Sequence, residues 1–148
     1  MTRNSKKSSK NFDKNDSDGA DRLDALARAC EGLKFISEID ADIVPFVGTE
    51  VKRVAADEVR QMAGRGPDAV IEERDVEEFF ARLTAAKPWH GVEHREKIKR
   101  FLVLKRQLEE SLVSLSVFRV GQVRLDIYIA GLDRDGRLAG VRTEAVET

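Results

Sequence analysis

A single cysteine, Cys30, stands in a chain of 148 residues, so no internal disulfide can staple the fold and stability has to come from a buried core. No apolar run approaches the roughly eighteen residues that a membrane span requires. Three prolines interrupt the pattern, and each reads as punctuation: Pro45 inside a short apolar run, Pro67 in a loop, Pro88 as a helix stop. The basic start, with Arg3, Lys6, Lys7 and Lys10, has no apolar segment behind it and does not read as a secretory signal. A reduced, cytoplasmic protein is the expectation. Also missing are a GxxxxGKS/T phosphate loop, a GxGxxG turn after a strand and a GxSxG elbow, and with them the best-signed nucleotide-binding and acyl-transfer chemistries.

What remains is enough for one domain that buries roughly two-thirds of its unfolded surface. The net charge of −1 conceals an asymmetry, because the first ten residues carry +4 and leave −5 for the rest. Residues 1–19 are rich in Ser, Asn, Lys and Asp and nearly free of apolar side chains, so burial cannot offset their ordering entropy. They read as a disordered basic arm ahead of a domain over 20–148. Solvated charges without interleaved aromatics are weak grounds for nucleic-acid contact, and no direct nucleic-acid binding is expected.

Helices and strands alternate through the body of the chain. Leu23, Leu26, Ala27, Cys30 and Leu33 share one face of an amphipathic helix predicted over Asp21 to Phe35, with Cys30 as a small buried hydrophobe. Ile43 to Val47 is an apolar run which, with Pro45 inside it, belongs at a sheet edge and ends at Gly48. Asp57 to Ala63 predicts a short helix with Val59 and Met62 inward and Gly64 as its stop, followed by a strand near Ala69 to Glu72. Asp75 and Glu78 form a capping-box pattern for the next helix, whose buried stripe is Val76, Phe79, Phe80 and Leu83. The longest helical pattern runs from Val92 to Leu115, with Ile98, Phe101, Leu102, Leu108, Leu112 and Leu115 inward, spanning roughly 35 Å at ~1.5 Å per residue.

The C-terminal thirty residues carry the clearest strand signal. Val123, Leu125, Ile127 and Ile129 alternate with Arg124, Asp126 and Tyr128, and Asp133 and Gly136 supply a reversal into a strand near Leu138 to Thr143. A further strand is predicted near Ser116 to Val120, ahead of Gly121. The sum is an α+β domain, with helices against a mixed sheet whose C-terminal half is antiparallel.

Two short motifs invite chemistry. His90, Glu93 and His94 spell HxxEH, an inverted zinc-protease pattern in which two His bind Zn²⁺ and Glu activates water. A third protein ligand is required, and Glu109 or Glu110 on the same helix would sit roughly 25 Å away at ~1.5 Å per residue. Glu144 and Glu147 remain formal candidates. Asp133-Arg134-Asp135-Gly136 echoes the start of a calcium loop, but its flanks are strands, and a polar hairpin turn accounts for it. No enzymatic core and no cofactor are expected.

The terminus is more specific. Arg119 to Gly121, then VxLDxYxxG over Val123 to Gly131, LAG over Leu138 to Gly140 and a closing VET resemble the nuclease A inhibitor (NuiA-like) family. Gly32-Leu33-Lys34-Phe35-Ile36-Ser37-Glu38 is similar to that family's GLxFxSE, and the phenylalanine pair and lone Trp89 fit as well. The resemblance covers about Leu23 to Thr148. It implies a three-layer α-β-α sandwich and inhibition, as a monomer in a 1:1 complex, of a sugar-nonspecific, divalent-metal-dependent endonuclease. It further implies that Thr148 reaches the nuclease's metal while Glu38 and Trp89 join the contact, with Glu147 beside them. The sequence departs from the family around Trp89, where Lys87, His90 and His94 replace an acidic pattern, and at Asp40, Ala41 and Asp42, which replace a more aromatic stretch. A binding module of the same fold with another partner is the alternative, and a zinc hydrolase on His90, Glu93 and His94 a more distant one.

Overall fold

The computed structural model describes residues 23–148; the arm over 1–19 and the expected helix start at Asp21 lie outside them. The first described helix, α1, covers 23–30 and buries Leu26 and Cys30. It ends at Cys30 instead of Phe35, because Gly32 takes a left-handed φ of +71° and turns the chain into strand β1, Lys34–Ile36. Leu33 is buried as expected, but from the turn and not from a further helical turn; Phe35 is buried from β1, and Leu23 and Ala27 of the expected inner face are exposed.

β1 forms an antiparallel hairpin with β2, Asp40–Asp42. A five-stranded sheet holds the centre. Its strands are β3 (Val44–Glu50), β4 (Ile71–Arg74), β5 (Val113–Gly121), β6 (Arg124–Leu132) and β7 (Arg137–Val146). Their spatial order is β3-β7-β6-β5-β4. Every pairing among the described strands is antiparallel, which corrects the mixed sheet expected from the sequence. Tight turns link β5 to β6 and β6 to β7, and such turns allow no other direction. β3 lies at the edge, as Pro45 required, but runs through Gly48 to Glu50 with a register shift after Val47. β4 begins two residues later than expected.

Three more helices pack against this sheet. α2 (Ala56–Ala63) buries Val59 and is closed by Gly64. In α3 (Val76–Leu83) the Glu78 amide donates to the Asp75 carboxylate at 3.0 Å, and Val76 and Phe80 are buried. It stops at Thr84, whose hydroxyl donates to the Phe80 carbonyl at 2.7 Å, four residues before Pro88. α4 covers Val92–Ser111, shorter than the sequence pattern, since Val113 to Leu115 already belong to β5. Its inner stripe is Phe101, Leu104 and Leu108, whereas Leu102 is 48% exposed; the predicted face was rotated at that position. Arg100 donates to the carbonyls of Ala29 and Glu31, which ties α4 to the open C-terminal end of α1.

The fold is α+β, with helices on both faces of the sheet. Leu125, Ile127 and Ile129 of β6 point into a core shared with α1, α3 and α4. Their alternates Tyr128 and Ala130 point into a second core with Val59 of α2. The two sets obey the two-residue period of a strand. Between β6 and β7, Asp133 Oδ1 accepts from the amides of Asp135 and Arg137, both at 2.9 Å, so the polar turn expected there uses its carboxylate on its own backbone. Gly140 is fixed by contact: an added Cβ would lie 1.9 Å from the Ile129 carbonyl oxygen.

Candidate functional site

The site lies where the β1–β2 hairpin meets the end of β7. The hairpin is pinned to that strand at one end by Thr143, whose hydroxyl donates to the Asp42 carbonyl at 2.9 Å. At the other end Ser37 and Glu38 form the bend between β1 and β2, closed by the Ser37 amide donating to the Ile39 carbonyl at 2.9 Å. From this bend Ser37 Oγ accepts from the Val146 amide at 3.0 Å, and the Glu38 amide donates to the Val146 carbonyl at 3.2 Å. The last strand is thus gripped by side chain and backbone together.

Beyond the strand the grip continues. The Glu147 amide donates to the Val123 carbonyl at 2.9 Å, and its carboxylate pairs with the Arg119 guanidinium. Thr148 donates twice to the same Glu38 oxygen, from its amide and from its hydroxyl, each at 2.8 Å. Glu147 and Thr148 are both exposed. Two residues outside any regular element are therefore fixed in position while facing solvent, and Glu38 and Thr148, 110 positions apart in sequence, are brought into direct contact.

Trp89 is presented differently. It sits in the connection between α3 and α4 and is 77% exposed, with its ring edge-on to His90 at a centroid separation of 6.0 Å. It lines a hollow together with Ile36, two residues before Glu38, so the tryptophan stands beside the same hairpin that holds the terminus.

The zinc pattern does not assemble. His94 is in the first turn of α4, but His90 precedes the helix, with Gly91 as N-cap between them. The imidazoles lie 3.6 Å apart between centroids, and His90 Nδ1 accepts from the Lys87 amide at 3.1 Å. Among the described residues no group of three or more His, Cys, Asp and Glu is placed to hold a metal ion, so Glu144 and Glu147 do not complete it. Partial desolvation, then the charges of His94 and Lys87, hold the His90 pKa below its ordinary value. Cys30 is inert by position, since burial pushes its thiol up to about 11 against the opposing pull of Arg100.

Two members of the site escaped the sequence reading as functional residues. Ser37 and Arg119 both stood inside the recognised segments, yet their roles as clamps of Val146 and Glu147 depend on strand pairing. A serine directly before the acid of a β-bend, and an arginine alternating with the buried Phe118 and Val120 along a strand, are the signals that pointed to them.

No helix among the described residues is long and apolar enough to cross a membrane. No curated protein matches the chain. A family model described as "Nuclease A inhibitor-like protein" matches residues 20–148.

Proposed function

This chain belongs to the nuclease A inhibitor-like family, and from that membership we propose that it is a non-catalytic cytoplasmic inhibitor of a sugar-nonspecific, divalent-metal-dependent endonuclease. Thr148 is the contact to the nuclease's metal, with Glu38, Glu147 and Trp89 in the surrounding interface, in a 1:1 complex. The observation that carries this reading is the double hydrogen bond from Thr148 to Glu38. A hydroxyl that gives its hydrogen to Glu38 keeps its lone pairs for a cation. Where Thr148 closes the chain, its carboxylate is ionised at neutral pH and adds hard oxygen donors suited to Mg²⁺ or Mn²⁺. Holding these donors in place beforehand removes part of the entropy cost of binding.

The charges around the tip support the same partner. A nuclease cleft is positive because it binds a polyanion, and Glu38, Glu144 and Glu147 offer it complementary charge. Trp89 supplies an exposed aromatic anchor of the kind that dominates interface energetics.

A panel of metal-dependent, sugar-nonspecific nucleases, assayed on DNA and RNA with the protein in stoichiometric excess, tests the proposal. Inhibition of at least one member is expected. It should fall at least a hundredfold on deletion of Thr148 or on extension beyond it, with the melting temperature nearly unchanged. Full activity of every nuclease would favour a binding module of the same fold with another partner, the reading to which the basic surroundings of Trp89 point. Undiminished inhibition by the extended protein would remove the metal-capping step.

A further inference from the structure

Folding brings Lys34 and Arg82 to the basic stretch in which the sequence already sets Trp89. Lys34 on β1, Arg82 on α3, Lys87 and His90 in the following connection, and His94 and Lys97 on α4 line one hollow, and no acidic residue lines it. Lys34 is paired with Asp42. Among the described residues no carboxylate pairs with Arg82, Lys87 or Lys97. The floor is apolar, made in part by Ile36 and Phe101.

We infer that this hollow is a binding site for a short single-stranded nucleic acid, its phosphates on Arg82, Lys87 and Lys97 and a base stacked on Trp89. Single-stranded nucleic acid is held by cations that follow the backbone and by an exposed aromatic face on which a base can lie. Both are present within one hollow. A lone carboxylate from a protein surface would need one of these cations, whereas a strand brings one charge per nucleotide and matches several. The objection raised by the sequence, basic residues without aromatics among them, holds for the N-terminal arm and not for this surface. The site does not depend on nuclease inhibition, although a strand and a nuclease could not occupy Trp89 together.

Trp89 is the only tryptophan in the chain, so its emission reports the hollow directly. An oligothymidylate of about eight nucleotides should produce a saturable change in that emission. If three phosphates are neutralised, affinity should be about twentyfold weaker at 200 mM than at 50 mM salt. The double variant Lys87→Glu/Lys97→Glu should abolish the response. Lys99→Glu/Arg106→Glu changes the net charge equally outside the hollow and should keep affinity within about threefold of the parent, with both folds checked by circular dichroism. A flat titration of the parent protein would overturn the inference, as would equal losses in the two doubles. A stronger response to an octaglutamate peptide than to the oligonucleotide would also overturn it, and would assign the hollow to an acidic protein surface.

Discussion

One oxygen of Glu38 does the work of positioning Thr148, because it accepts from both the amide and the hydroxyl. Removing the acceptor with Glu38→Ala should free the terminus without touching the core. Inhibition should weaken at least tenfold while the melting temperature stays within a few degrees. Glu38→Gln keeps an oxygen acceptor and loses only charge, so its cost should be smaller and most visible at low salt, where exposed charges act at longer range. Equal losses at low and high salt would show that attraction over distance is not part of its role. The His90–His94 pair predicts a pH effect on stability. His90 has a folded pKa below the ordinary 6.5, so the unfolded chain takes up a proton first as pH falls through that value. Stability should be fully present above about pH 6.5 and decline below it. His94→Gln should shrink that decline in melts followed from pH 7.5 to 5.5; an unchanged profile would clear the pair of responsibility. At Gly140, where an added Cβ would strike the Ile129 carbonyl, Gly140→Ala should cost about 3 to 5 kcal/mol in urea unfolding.

At the scale of elements, alternation and turn chemistry made the C-terminal strands legible, because both are local. The Asp75 cap was legible for the same reason, and Asp75→Ala should cost about 1 kcal/mol. α1 and α4 were misread where two elements share one apolar rhythm. Leu33 continues the spacing of α1 yet is buried from a turn, and only the left-handed Gly32 marks the change. In α4 the positions 98, 101 and 102 fit a helical face as well as 101, 104 and 108 do, and packing against the sheet chooses the latter. Leu104→Ala should therefore cost about 2 to 5 kcal/mol, against about 0.5 kcal/mol or less for Leu102→Ala; similar costs would return Leu102 to the core. Tight turns fix the directions of β5, β6 and β7, whereas those of β3 and β4 are set by pairings that no local pattern encodes, and there a mixed sheet is as compatible with the sequence as the antiparallel one observed. The candidate site divides along the same line: Glu38, Trp89, Glu147 and Thr148 came from recognised segments. The contacts of Ser37 and Arg119, and the approach of Lys34 and Arg82 to Trp89, came only with the fold.

Across the described residues two charged surfaces stand out, the acids Glu38 and Glu147 beside the end of β7 and a basic hollow at Trp89. A partner of one uniform sign would be attracted by one and repelled by the other, so the pair of fields orients as well as attracts. If a positive nuclease engages the tip, its association rate should fall with salt while the dissociation rate changes little. Stopped-flow measurements at two ionic strengths would separate these, and a salt effect confined to dissociation would contradict steering.

The position of β7 has a mechanical meaning. It is flanked by β3 and β6, and Thr148 follows directly from its end, so a pull on that residue along the strand loads two ladders in shear, with many hydrogen bonds resisting at once. Peeling, which breaks them one by one, would require force across the sheet. Tension applied through Thr148 would thus be shared by both ladders of β7 at once.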